Sequence, residues 1–136
     1  MSPSNFDSQL DQILDFSASA SDPYGQTYEE IKSIAESIQR KLNDGLTGDP
    51  IQVEIEPGFK ASLGQQLRIN VRIPQKQYRD TLFRAYVPTT GFPISLDLYG
   101  ENPEECNNAQ ELQTKVLGFL KQTKERMASY RNFVNP

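Results

Sequence analysis

Leu67-Arg68-Ile69-Asn70-Val71-Arg72-Ile73 alternates apolar and polar side chains along its whole length. A period of two places successive side chains on opposite faces of a β-strand, so this strand has one buried face and one wet face. The same alternation occurs over residues 51–56, 81–87 and 92–98. The sequence therefore predicts four strands, and the sheet that they build decides the fold.

The connections between the predicted strands are short. Parallel strands need a crossover of roughly a dozen or more residues, whereas antiparallel neighbours need only a turn. The segment at 88–91, Pro-Thr-Thr-Gly, has the length and composition of a hairpin turn. The pattern thus indicates a four-stranded antiparallel meander.

Two long helices are predicted on either side of the sheet in sequence, at 27–44 and 108–131. Each carries an apolar stripe at helical spacing. Each also begins with the spacing of a capping box, namely Thr27 with Glu30 and Asn108 with Glu111. We expect the order α-α-β-β-β-β-α, with the helices packed on one face of the sheet, and a single α+β domain spanning residues 1–136.

The first helix of that order is predicted at 5–16. Its apolar residues fall on one stripe: Phe6, Leu10, Ile13 and Leu14. Residues 16–26 follow as a connector of small residues with a proline and a glycine. Residues 1–20 are therefore interpreted as a helical arm that the connector leaves free to move, and it can dock on its own chain or on a second copy.

The composition favours a soluble cytoplasmic protein. The chain has 136 residues, a net charge of −4 and one cysteine, so no internal disulfide can form. It has no apolar run near the ~20 residues that span a bilayer, and its start lacks the features of a secretory signal. We expect no membrane association.

The sequence lacks most of the residues and motifs that common enzymes use. Histidine is absent, which removes the commonest general base and metal ligand. The thiol of Cys106 precedes a helix start but lies among the acids Glu101, Glu104 and Glu105, whose charge opposes a thiolate. No glycine pattern for phosphates, no calcium loop and no signature of a known family is present. We therefore predict a protein that is not an enzyme, with no catalytic residue, metal or cofactor.

Charge is distributed unevenly along the chain. Residues 1–60 hold eleven acids and four bases. The stretch from Lys60 to Arg84 holds six bases and only one acid, Asp80. This asymmetry indicates either a binding face for an anionic or acidic partner, or internal pairing with the acidic half of the chain.

The polar side of the strands is the candidate site. Strand alternation assigns the following residues to this outward face: Glu54, Glu56, Arg68, Asn70, Arg72, Leu82, Arg84, Tyr86, Ser95, Asp97 and Tyr99. If Ile73 pairs with Phe83, Arg72 lies opposite Arg84, and opposed like charges need an acid or an anion between them. The alternative interpretation is a surface ladder in which Glu54 or Asp97 neutralises Arg72.

Two classes of function remain open from the sequence. The first is a non-enzymatic binding or adaptor module that engages another protein or its own copy through this face and the arm. The second is a binder of nucleic acid or of a small anionic ligand, because tyrosine stacks on bases and arginine holds phosphate. The predicted binding residues are the same for both: Arg68, Arg72, Leu82, Arg84, Tyr86 and Tyr99.

Overall fold

A computed structural model describes residues 4–13, 22–100 and 102–135. The helices are α1 (Ser4–Ile13), α2 (Pro23–Leu42), α3 (Ala109–Gln122) and α4 (Lys124–Val134). The strands are β1 (Gln52–Ala61), β2 (Gly64–Ile73), β3 (Tyr78–Pro88), β4 (Ile94–Asp97) and β5 (Glu104–Cys106). A short 3₁₀ turn, Pro74–Lys76, joins β2 to β3.

The sheet is an antiparallel meander in the order β1-β2-β3-β4-β5. The predicted α+β class and antiparallel connectivity are confirmed. The prediction of four strands is one too few, because β5 also joins the sheet through Ile94 opposite Cys106. Its sequence, Glu-Glu-Cys, is too short to show an alternating pattern.

The hydrophobic core lies between one face of the sheet and helices α2, α3 and α4. Alternate residues of β2, including Leu67, Ile69 and Val71, are fully buried in this layer. Phe119 of α3 meets the ring of Phe83 of β3 edge to face, with the ring centroids 5.9 Å apart. Burial of these large side chains is the main source of stability for a domain of this size.

The start of α2 differs from the prediction. The helix begins at Pro23, and the carboxylate of Asp22 accepts a hydrogen bond from the Gly25 amide at 3.1 Å. Thr27 is buried inside the helix, and its hydroxyl donates to the Pro23 carbonyl at 3.0 Å. The predicted capping box at Thr27 and Glu30 is therefore wrong, because the helix starts about one turn earlier. Asp22 caps it there, and Pro23 is its first residue, with a φ angle that the proline ring already restricts to the helical range.

The predicted helix at 108–131 is two helices. Its start is confirmed, since Asn108 Oδ1 accepts from the Glu111 amide at 2.9 Å, while the Glu111 carboxylate accepts from the Asn107 amide at 3.2 Å. The interruption occurs at Thr123, whose hydroxyl donates to the Phe119 carbonyl at 2.8 Å. The chain then re-enters helix as α4 at Lys124.

A bulge in β3 changes the parity of the strand. Ile69 lies opposite Phe83, but Asn70 lies opposite Thr81, which leaves Leu82 as an extra residue on β3. Leu82 and Phe83 are both buried. The prediction that Leu82 points outward is therefore wrong, because strict alternation fails at a bulge.

Helix α1 is the described part of the first predicted helix. It covers Ser4–Ile13, and the predicted continuation to residue 16 and most of the connector lie outside the described residues. Phe6 is 68% exposed and Leu10 is 39% exposed. These two apolar side chains of α1 are therefore open to solvent.

Candidate functional site

The face of the sheet opposite the core forms a polar surface. We call it the outer face, and its members are Glu54, Glu56, Arg68, Asn70, Arg72, Arg79, Thr81, Arg84 and Tyr86, which the strand register places side by side. The alternation of β1 and β2 predicted the first five. Arg79 was missed because the predicted strand began at residue 81, and Thr81 was missed because the bulge at Leu82 reverses the parity of β3.

Arginines oppose each other at two places on the outer face. Arg68 lies across from Arg84, and Arg72 lies across from Arg79. The predicted pairing of Arg72 with Arg84 is wrong, because Ile73 pairs with Tyr78 and shifts the register. Like charges held directly opposite each other destabilise a sheet unless nearby acids compensate.

Two glutamates of β1 provide most of that compensation. Glu56 accepts from Arg68 at 3.3 Å and from Arg79 at 2.6 Å, and Glu54 accepts from Arg72 at 3.2 Å. The basic stretch from Lys60 to Arg84 is thus partly neutralised by acids from the N-terminal half, as the internal-pairing interpretation expects. Ion pairs this exposed contribute little stability, about 0–1 kcal/mol each.

Arg84 differs from the other outer-face arginines. Among the described residues, its guanidinium group has neither a hydrogen bond nor an ion pair, and its side chain is exposed. Its neighbours across the strands are Arg68 on β2 and Asp97 on β4. Two residues along β3, Tyr86 is half-buried on the same face.

A buried polar pair lies at the centre of the outer face. Asn70 is only 2% exposed, and its side-chain carbonyl accepts from the Thr81 hydroxyl at 2.9 Å. Buried amides are costly without such partners. Their mutual hydrogen bond fixes β2 against β3 next to the bulge, so the arginines around them project from a rigid base.

A cleft of about 330 Å³ opens where β4 separates from β3. Arg84 and Tyr99 both line it, together with Leu82. Tyr99 donates its hydroxyl to Gln122 of α3 at 2.9 Å, and its ring lies 5.5 Å from that of Phe119. The placement of Tyr99 on the outer face is therefore wrong, because β4 ends at Asp97 and the chain turns toward the helices.

A hydrogen-bonded network joins α4 to β3 beside this cleft. Asp80 accepts from the Tyr130 hydroxyl and from Arg126 Nη2, which also donates to the Thr81 carbonyl at 2.7 Å. Burial alone would raise the pKa of Asp80, but these hydrogen bonds and the charge of Arg126 outweigh it and lower that pKa. The same burial and the bond to Asp80 raise the pKa of Tyr130. Asp80 is therefore a stable anion that anchors a helix.

Cys106 does not have the surroundings of a nucleophile. Its side chain is fully buried on β5, and burial raises the pKa of its thiol. Lys115 of α3 holds the strand from outside by donating to the Glu105 carbonyl at 3.0 Å. Within the described residues, no group of three or more acidic, cysteine or histidine side chains is arranged to bind a metal ion.

Comparison of the chain with models of protein families, with curated proteins and with solved structures found no match. In the part of the chain that the structure describes, no helix has both the length and the apolar character needed to cross a bilayer. Inferences about function therefore rest on the outer face, the cleft and the helix surfaces.

Proposed function

We propose that the chain is a non-enzymatic protein-binding module that engages an acidic surface of its partner through the outer face. The arm, with the exposed stripe of α1, provides a second contact. The observation that carries the proposal is Arg84, an exposed arginine without an ion pair among the described residues, on a face where the other arginines are matched by glutamates.

The geometry suits recognition of a carboxylate. Arginine is enriched at the centres of protein interfaces because its planar guanidinium binds carboxylates through two parallel hydrogen bonds. Arg84 lies on a strand in the middle of the sheet, so its backbone is already ordered and only its side chain must be fixed on binding. Tyr86 beside it adds the rigid, amphipathic surface that interfaces favour.

Electrostatics favour a protein over a nucleic acid as the partner. The net charge of −4 opposes the general attraction to phosphate that nucleic-acid binders use. Glu54 and Glu56 also occupy the outer face among the arginines. Bases on an otherwise acidic partner surface can meet these glutamates, which sets the register of docking.

The test compares what the chain retains from an extract of cells that express it. The immobilised wild type is expected to retain a defined set of proteins, and Arg84→Glu is expected to lose them, with a loss of about 2 kcal/mol or more in binding free energy. Lys124→Glu is the matched control, since it makes the same charge change at an exposed site on α4 without a partner among the described residues.

Each outcome has a stated meaning. Equal retention by wild type and Arg84→Glu shows that the outer face is not the binding surface. If both Arg84→Glu and Lys124→Glu lose the retained proteins, retention depends on the overall charge of the chain and not on a specific site. Circular dichroism of both variants must match the wild type, which we expect because Arg84 makes no ion pair within the described residues whose loss would affect the fold.

The cleft supports a second candidate, a small anionic ligand or a nucleotide of a single strand. Arg84 supplies a positive charge there and Tyr99 supplies a ring and a hydroxyl. Inorganic phosphate, a nucleoside monophosphate or a single-stranded oligonucleotide is then expected to raise the melting temperature of the wild type but not of Arg84→Glu. If none of these probes raises the melting temperature of the wild type, this second candidate is ruled out.

A further inference from the structure

We propose that α1 of one chain docks in the groove between α2 and α3 of a second copy, so that two chains exchange their arms. This inference rests on the arm contact of the proposed function and gives it a site. The groove has a volume of about 430 Å³ and is walled by apolar side chains: Ile34, Ile38, Val116, Leu117 and Leu120.

The groove is an exposed apolar surface between two packed helices. Leu117 is 66% exposed, although it lies on α3 directly beside the buried Val116. Leu120, one turn beyond Val116, is only partly buried. Large apolar groups that remain exposed together are typical of surfaces that bind another surface.

Helix α1 has the matching shape. Phe6 and Leu10 are spaced by four residues and so lie on one side of the helix, about one turn apart. Ile34 and Ile38 have the same spacing on α2, as Val116 and Leu120 have on α3. A helix with such a ridge packs between two helices that present equivalent ridges, as in helix-in-groove recognition.

Charge is complementary across the same contact. The ten residues of α1 include Asp7 and Asp11 and no base. Lys41 is the charged residue on the groove wall, and its ammonium group makes only a long contact, 3.8 Å, with the exposed Asp44. An acidic helix therefore meets a groove in which, among the described residues, the one charged lining residue is a lysine, which favours this occupant over a basic one.

The two exposed features occur on the same chain, and this points to a second copy. An isolated helix of ten residues is marginal in water, so α1 needs a packing partner to persist. In the structure of the single chain, Phe6 is exposed and the groove is open. A two-fold arrangement of two chains covers both arms and both grooves and closes on itself without leaving a free site.

The test measures the oligomeric state by sedimentation over a wide range of concentration. The wild type is expected to form a dimer, and Phe6→Glu or Leu117→Glu to raise its dissociation constant by roughly tenfold or more. Phe59→Glu and Leu63→Glu are the matched controls, because both side chains are even more exposed, at 79% and 73%. Phe59 lies near the end of β1 and Leu63 in the turn to β2, away from the groove. The controls are expected to dimerise like the wild type.

A mixing experiment separates exchange between chains from docking within one chain. Phe6→Glu keeps an intact groove and Leu117→Glu keeps an intact arm, so the mixed variants can form one of the two contacts. We expect a heterodimer that is weaker than the wild-type dimer but stronger than either variant alone. A wild type that stays monomeric, or a mixture that forms no heterodimer, overturns the proposal.

Dimerisation through α1 and the groove is expected to be independent of the outer face. Arg84→Glu is expected to dimerise normally, so loss of partner binding with an intact dimer separates the two surfaces. A dimer that survives both Phe6→Glu and Leu117→Glu uses another surface and also overturns the proposal. Both substituted side chains are exposed, and Phe6→Ser and Leu117→Ser give the same comparison if a charged variant fails to fold.

Discussion

At the scale of single residues, the network around Asp80 connects a strand to the last helix. Its carboxylate accepts from Tyr130 and Arg126, both on α4, and Arg126 also binds the Thr81 carbonyl. Hydrogen bonds to an ionised group contribute about 1.5–3 kcal/mol each, which is more than neutral ones. The ionised carboxylate of Asp80 therefore strengthens the docking of α4, which also packs on the core through Tyr130.

Asp80→Asn is expected to lower the free energy of unfolding at neutral pH by about 1–3 kcal/mol. Because the pKa of Asp80 is lower in the folded chain than its ordinary value, its contribution is present above about pH 4. It is lost as the pH falls through the folded pKa, so the difference between the two proteins shrinks in acid. Urea denaturation at several pH values measures this difference.

Glu29→Gln provides the control for the pH series. Glu29 is exposed on α2 and makes no hydrogen bond or ion pair among the described residues, so its variant should follow the wild type at every pH. If the gap between wild type and Asp80→Asn is the same in acid as at neutral pH, the ionised carboxylate is not what anchors α4.

At the scale of elements, the bulge in β3 shows where sequence reasoning succeeds and where it stops. The alternation correctly assigned Phe83, Ala85 and Val87 to the core and Arg84 to the opposite face. It failed at Leu82, since an inserted residue changes no local composition and is visible only in the pairing with β2. The outer face was thus predictable up to the bulge and not beyond it.

Leu82→Ala tests this placement directly. The side chain is 2% exposed, so truncation is expected to cost about 2–5 kcal/mol, comparable with Leu96→Ala in the centre of the core. A side chain on the wet face would cost about 0.5 kcal/mol or less. Chemical denaturation of both variants decides between these values, and a small loss for Leu82→Ala alone would show that the bulge is misplaced.

The ends of the helices were also predictable only in part. The start of α3 at Asn108 was predicted from its cap, while Asp22 and Pro23 were read as part of a connector although they start α2. The signal was present, because an acid followed by proline is typical of a helix start. Thr123 offered no comparable signal, because its backbone leaves the helical conformation there while the Thr123 and Met127 amides still donate to carbonyls four residues earlier.

At the scale of the whole molecule, the layer of α2, α3 and α4 on the meander is complete without α1. The hydrophobic core contains residues of these three helices and of all five strands, and none from residues 5–10, the part of α1 whose burial is described. The polar outer face and the apolar groove lie on opposite layers, one on the sheet and one on the helices. One chain therefore has room for two partners at once.

Deletion of residues 1–20 is expected to leave a folded protein with less self-association. The melting temperature of the dilute, monomeric chain should change little, because the described part of the arm contributes nothing to the core. The shorter chain keeps Asp22, which caps α2. Circular dichroism and light scattering on both chains check the two halves of this prediction, and a deleted chain that cannot fold contradicts it.

The rate at which the single thiol of Cys106 reacts can measure how often the sheet opens at β5. It is fully buried on the outermost strand, and Lys115 ties that strand to α3. A thiol reagent in solution can reach the sulfur only after this margin opens or the whole chain unfolds, so each modified molecule records one opening event. Since the chain has no other cysteine, the labelling rate reports opening at Cys106 alone, and comparison with the rate of global unfolding separates opening of β5 from unfolding of the whole chain.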